Sequence, residues 1–130
     1  MSNRAGDWLT QATRDLAAAR AASAAGLYEW TCFAAQQAAE KAAKGLLQAV
    51  NGAARGHGIA FILTKLAPGL TPARDLVVAA SRLDKYYTVT RYPNGFDAGA
   101  PGEHFLKEEA ETAVKDAESI VDFCRSNFPR

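Results

Sequence analysis

The stretch CFAAQQAAEKAAKGLL, residues 32–47, decides the fold. Alanine, the strongest helix former, dominates it and recurs through residues 12–25, supplying 28 of the 130 residues in all, so both segments favour helix before any tertiary contact forms. No run of β-branched residues alternates with period two over a useful length, which leaves an all-α domain.

Working outward, apolar residues at spacings of three and four (Trp8, Ala12, Leu16, Ala19) predict a helix over residues 7–25, with Asp7 as its N-cap and Gly26 as its stop. A second helix follows at once over residues 27–50, and Asn51-Gly52 ends it. So short a connection makes the pair an antiparallel hairpin. The segment GAARGHG is too rich in glycine for helix, and Ile59, Phe61, Ile62, Leu63 and Leu66 behind it predict a short helix of two or three turns before Pro68-Gly69. Thr71-Pro72 reads as a cap followed by a proline in the first turn, starting a fourth helix that carries Leu76, Ala80, Leu83 and Tyr87 on one face to about Arg91. Pro93 disfavours helix at Tyr92. Residues 93–104 hold three glycines and two prolines and read as a long irregular connection before a last helix over residues 105–127. The sum is an up-and-down four-helix bundle with an additional short helix, one domain over residues 1–130.

Fifteen basic and fourteen acidic side chains leave a formal charge of +1, so no global field draws in DNA or an anionic membrane, and phosphate contact requires a local patch. DNA sequence recognition is not expected. Cys32 and Cys124 lack the spacing of zinc or redox pairs and read as core residues. His57 and His104 have no ligand-type neighbours at metal spacing, so neither a metal nor a cofactor is expected. No apolar run is long enough for a membrane span, and the N-terminus MSNRAGDW has no apolar leader region, which makes the cytoplasm the expected location.

Two polar constellations remain. On the second helix Trp30, Gln37, Lys41, Lys44 and Gln48 fall within about 40° of one line, offering an aromatic surface with amide and ammonium donors of the kind that a phosphate or nucleobase uses. A solvated face supported by a Glu40 to Lys44 pair accounts for the same spacing. In LDKYYTVTRYP, residues 83–93, Asp84, Tyr87 and Arg91 occupy one flank of the fourth helix at i, i+3 and i+7, and Arg91 lies where the helix dipole favours a cation. A local Asp84 to Arg91 ion pair with tyrosines sealing the bundle end is the structural alternative.

The QQAAEKAAK and YYTVTRYP blocks, together with Trp8, Asp15-Leu16 and a loop histidine before a Leu-rich short helix, resemble the HEPN domain family across nearly the whole chain. The resemblance implies a helical bundle, commonly a homodimer, associated with nucleotide or RNA and with a minimal nucleotidyltransferase as partner. The ribonuclease members of that family use an Arg-x(4–6)-His motif, which this sequence lacks, because no arginine stands at 50–52 or 97–99. The resemblance therefore points to a binding module or companion subunit rather than an enzyme, with an atypical metal-independent ribonuclease toxin as the alternative. Residue by residue the resemblance falls on Gln37, Glu40, Lys41, Lys44, His57, Tyr87, Arg91, Tyr92 and Pro93, and with Asp84 from the helical spacing the expected nucleotide-binding residues are Gln37, Lys41, Lys44, His57, Asp84, Tyr87, Arg91 and Tyr92. Lys41, Lys44 and Arg91 are expected to look into one water-reachable hollow.

Overall fold

The computed structural model describes residues 4–50, 52, 56–66 and 68–129. Among these residues six α-helices follow in order, α1 (Ala5–Ala24), α2 (Tyr28–Ala49), α3 (Ile59–Leu63), α4 (Arg74–Asp84), α5 (Tyr86–Val89) and α6 (Lys107–Ser126), with short 3₁₀ turns at Pro68–Leu70, Pro93–Gly95 and Pro101–Glu103. No strand occurs among the described residues. The architecture is the all-α bundle expected, and α2 is its central rod, touching α1, α3, α4, α5 and α6.

Alanine explains why one helix can touch so many neighbours. Ala35, Ala38, Ala39, Ala42 and Ala43 are fully buried on α2, against Ala12 and Ala19 of α1 and Ala113 and Ala117 of α6. Small side chains allow the helix axes to approach closely. At Gly45 the approach of α1 leaves no room for a side chain, since a Cβ there would stand 3.0 Å from the Trp8 Cβ and 3.1 Å from the Ala5 carbonyl oxygen. Leu46, Leu47, Ile59, Ile62, Leu63, Leu83 and Ile120 supply the bulk of the core volume. Cys32 and Cys124 are buried in it as free thiols, and burial pushes both up to about 12. No helix among the described residues is long and apolar enough to cross a membrane.

Several boundaries differ from the sequence-based expectation. The first helix begins at Ala5, with Asp7 inside its first turn and ion-paired to Arg4 instead of serving as the cap. Gly26, at φ +77°, closes it as expected. Asn51 and Arg55 lie outside the described residues, but the Gly52 N–H donates to the Leu47 carbonyl at 2.8 Å and ends α2. The short helix is only Ile59–Leu63, because the chain leaves it in a turn at Thr64, whose hydroxyl bonds the Phe61 carbonyl at 2.6 Å.

Thr71 does not cap the fourth helix. Ala73, extended at φ −66° and ψ 156°, is the flanking residue, and the helix starts at Arg74. The helix then divides at Lys85 into α4 and α5, with Lys85 itself in the right-handed helical region at φ −69° and ψ −16°. It ends at Val89, which puts Arg91 just past the last turn instead of inside it.

The connection over residues 93–104 is folded on itself. His104 Nε2 lies 2.6 Å from the Ala98 carbonyl oxygen, its ring stacks on Phe96 at 4.1 Å, and Glu103 accepts the Ala100 N–H at 2.6 Å. The last helix begins at Lys107, two residues later than expected, because Leu106 is extended and Glu109 reaches back to accept its N–H at 3.0 Å.

Candidate functional site

Glu40 lies near the middle of α2 and is only 4% exposed. A carboxylate there needs donors, and it has three. Gln36 Nε2, one turn earlier, donates at 3.0 Å, and Lys44 Nζ, one turn later, at 2.9 Å. His57 Nδ1 arrives from the loop before α3, 3.1 Å from each carboxylate oxygen. A carboxylate only accepts, so Nδ1 carries its hydrogen and a neutral His57 leaves Nε2 as the acceptor. The His57 side chain is 48% exposed, and Nε2 makes no hydrogen bond to a described residue. Gln36 also donates to the His57 carbonyl at 3.3 Å, so α2 holds this residue by ring and backbone together. Gly56, at φ +86°, permits the turn that delivers it.

Tyr87 of α5 stacks on the His57 imidazole at 3.9 Å between centroids and 17° between planes. Four residues on, Arg91 folds back so that Nε and Nη2 donate to the Tyr87 carbonyl at 3.1 and 2.6 Å. Thr90 does the same for the Tyr86 carbonyl at 2.7 Å. These side chains satisfy carbonyls that a helix end leaves open. The Arg91 Cζ sits 4.4 Å from the Phe33 ring centroid, 4.9 Å from Tyr87 and 5.3 Å from Tyr92. Arg91 is half-buried, and no described carboxylate pairs with it.

Asp84 takes another role than the one its spacing suggests. It forms no pair with Arg91. Its Oδ1 accepts the Ile59 N–H at 2.6 Å and its Oδ2 the Ala60 N–H at 3.2 Å, capping α3 from α4. Burial raises its carboxyl above the usual aspartate range, the two backbone donors oppose that, and Glu40 adds to it. Asp84→Asn keeps one acceptor and turns an amide donor toward the second N–H, so urea melts should give a loss of roughly 1–2 kcal/mol. A raised folded-state value means that the folded chain binds this proton more readily than the unfolded one. Wild type should therefore gain stability relative to the variant as pH falls from neutral toward the ordinary aspartate range.

The two lysines diverge. Lys44 bonds Glu40 and lies 5.8 Å from the Trp8 ring centroid. Lys41 turns to α1, where its Nζ meets Asp15 at 2.6 Å, and lines a groove of about 390 Å³ with Arg4, Asp7, Trp8, Gln11 and Gln48. Arg91, Tyr87 and Tyr92 are not in that wall. Gln37 donates to the Gln36 side chain at 2.8 Å and so supports the Glu40 group from behind. The structure thus gathers Lys44, His57, Tyr87, Arg91 and Tyr92 around Glu40 and the α5 end, with Gln37 and Asp84 in supporting contacts, and directs Lys41 elsewhere. A separate depression of about 550 Å³ between α1 and α6 mixes Arg20, Lys107 and Lys115 with Glu111 and Glu118 and lies apart from these residues. Among the described residues no three His, Cys, Asp or Glu side chains cluster to hold a metal ion.

Sequence reasoning missed Phe33 and Gln36. Both are legible in hindsight, because Phe33, Gln36, Gln37, Glu40 and Lys44 follow at helical spacings of three and four from one stripe of α2.

A family model of the HEPN domain matches residues 5–127. Among solved structures, the chain is similar to TT1696 from Thermus thermophilus, with 45% identity over 97% of this chain and 99% of that one and a TM-score of 0.94. ST0689, an archaeal HEPN homologue, is 40% identical over 99% of this chain and 100% of that one, with a TM-score of 0.84. A HEPN domain protein from Thermotoga maritima is 32% identical over 92% and 95% of the two chains, with a TM-score of 0.75. Among proteins of curated function, none matches.

Proposed function

The chain belongs to the HEPN domain family, and from that premise we propose that it is a binding module for nucleotide or RNA, acting as companion to a minimal nucleotidyltransferase. One observation carries the reading: a half-buried guanidinium with no described carboxylate partner lies among three aromatic rings. Two of its nitrogens are spent on the Tyr87 carbonyl, and the remaining N–H groups suit a phosphate, whose oxygens match the planar fork. Tyr87 and Tyr92 offer ring surface beside it and His57 adds a nitrogen, while Lys44 is spent on neutralising the Glu40 carboxylate that holds His57. Lys41 is paired with Asp15 in the groove along α1 and is not among the contacts of this reading. A homodimer in the cytoplasm is the proposed working form.

The test is titration of ATP, GTP and short single-stranded RNA against the metal-free chain. Binding that weakens as salt is raised is expected, since phosphate contact releases counterions. Salt-insensitive binding, or none with any of the three, rules the reading out.

A second reading, a metal-independent ribonuclease, is favoured by one feature. His57 and Arg91 stand 3.9 and 4.9 Å from the centroid of the same Tyr87 ring, although they are far apart in sequence. Glu40 orients the imidazole as a carboxylate orients a general base. In that reading Nε2 takes the 2′-hydroxyl proton as the 2′-oxygen attacks the adjacent phosphorus, and the departing 5′-oxygen takes a proton from water. RNA cleavage in EDTA that disappears in His57→Ala selects this reading, and intact RNA eliminates it.

A further inference from the structure

Two large exposed rings flank the Arg91 group, Tyr92 directly and Trp30 by way of Phe33. Tyr92 is 50% exposed, with its centroid 5.3 Å from the Arg91 Cζ. Trp30 is 48% exposed and packs edge-on at 6.2 Å against Phe33, the ring 4.4 Å from the same Cζ. Phe33 and Tyr87, 6.4 Å apart, each lie within 5 Å of the guanidinium carbon. The arrangement is a cation backed by two packed rings and reached by two exposed ones.

A nucleobase stacks on any aromatic face without regard to its identity, and a phosphate seeks the guanidinium. A mononucleotide carries one base and covers one of the two exposed rings. A linked pair covers both. A duplex keeps its bases stacked on one another and needs a row of free cations along its backbone, whereas Lys41 and Lys44 are held by Asp15 and Glu40. An acidic peptide would satisfy Arg91 but brings a flat ring only where an aromatic residue stands, whereas every nucleotide carries one.

We propose that the occupant of this face is a single strand of at least two nucleotides, with successive bases on Trp30 and Tyr92 and the intervening phosphate on Arg91. The inference rests on the reading of Arg91 as a phosphate contact. The shared chemistry is that of single-stranded RNA and single-stranded DNA, since base stacking and one phosphodiester recognise both.

NMR-detected titrations of UMP, UpU and TpT against the full chain test it, in wild type and in Trp30→Ala and Tyr92→Ala. In wild type at least one of UpU and TpT should bind more tightly than UMP by roughly 5- to 150-fold, the range for one stacked base. Each ring variant should bring that dinucleotide down to the level of UMP, and a difference between UpU and TpT identifies the preferred sugar. Equal affinity for UMP and both dinucleotides would overturn the two-base proposal while leaving Arg91 as a phosphate contact. Absence of binding by all three ligands would overturn both. Ring variants that leave every titration unchanged but shift the sedimenting mass would overturn the proposal and make the face a contact between copies of the chain.

Discussion

Glu40→Ala is expected to lower the unfolding free energy by roughly 2–4 kcal/mol, the largest single effect foreseen outside the apolar core. Glu40 is nearly buried, and it is the common acceptor for Gln36, Lys44 and His57. Removing it leaves an amide and an ammonium group without their shared partner in a largely desolvated place. A fully buried pair broken in this way costs about 3–5 kcal/mol. The Lys44 and His57 side chains keep 18% and 48% of their exposure, so water compensates part of the loss and the expectation is set lower. Glu40→Gln retains one acceptor oxygen and should cost less than half as much. Urea melts should register the change in the midpoint with the slope unaltered. His57 imidazole resonances should move toward those of a free histidine in Glu40→Ala, because the contact that positions Nδ1 is gone.

The fold was legible because its signals are local and repeated. Alanine density in α1 and α2, Gly26 between them and the apolar stripe of α6 each act within a few residues, and each element is found where those signals stand. The boundaries that moved are those set by competition. Thr71-Pro72 is a good helix start in isolation, yet the helix waits for Arg74. Asp7 is a good cap in isolation, yet it pairs with Arg4 inside the first turn.

The candidate site was legible in part, for a geometric reason. Helical spacing states which residues share a stripe on one helix, and it placed Asp84, Tyr87 and Arg91 near one another. It does not state which neighbouring element the stripe meets. Asp84 meets the α3 amides, which a sequence pattern on α4 does not reveal. Lys41 and Lys44 are three residues apart on α2, but one pairs with Asp15 of α1 and the other with Glu40, partners that the spacing along α2 alone does not state. The meeting of His57 with Tyr87 depends on a glycine turn at Gly56 and on the path of a loop, and neither leaves a periodic trace.

Arg91→Ala should weaken binding of short single-stranded RNA by roughly 10- to 150-fold, corresponding to about 1.5–3 kcal/mol for hydrogen bonds to a charged group. Arg91→Lys keeps the charge but loses the planar fork and the flat contact with Phe33 and Tyr92, so it should fall between the two. Among the described residues the hydrogen bonds lost are those to one helix-end carbonyl, together with the contacts to Phe33, Tyr87 and Tyr92, so the unfolding free energy should fall by roughly 1–2 kcal/mol, measured in the same variant by urea melts. The decisive measurement is the salt dependence of that RNA affinity in wild type and Arg91→Ala, compared side by side. A phosphate held by Arg91 predicts weaker binding in the variant and a log-log slope shallower by about 0.7. Identical affinities and identical slopes would contradict the assignment of Arg91 as the anion contact.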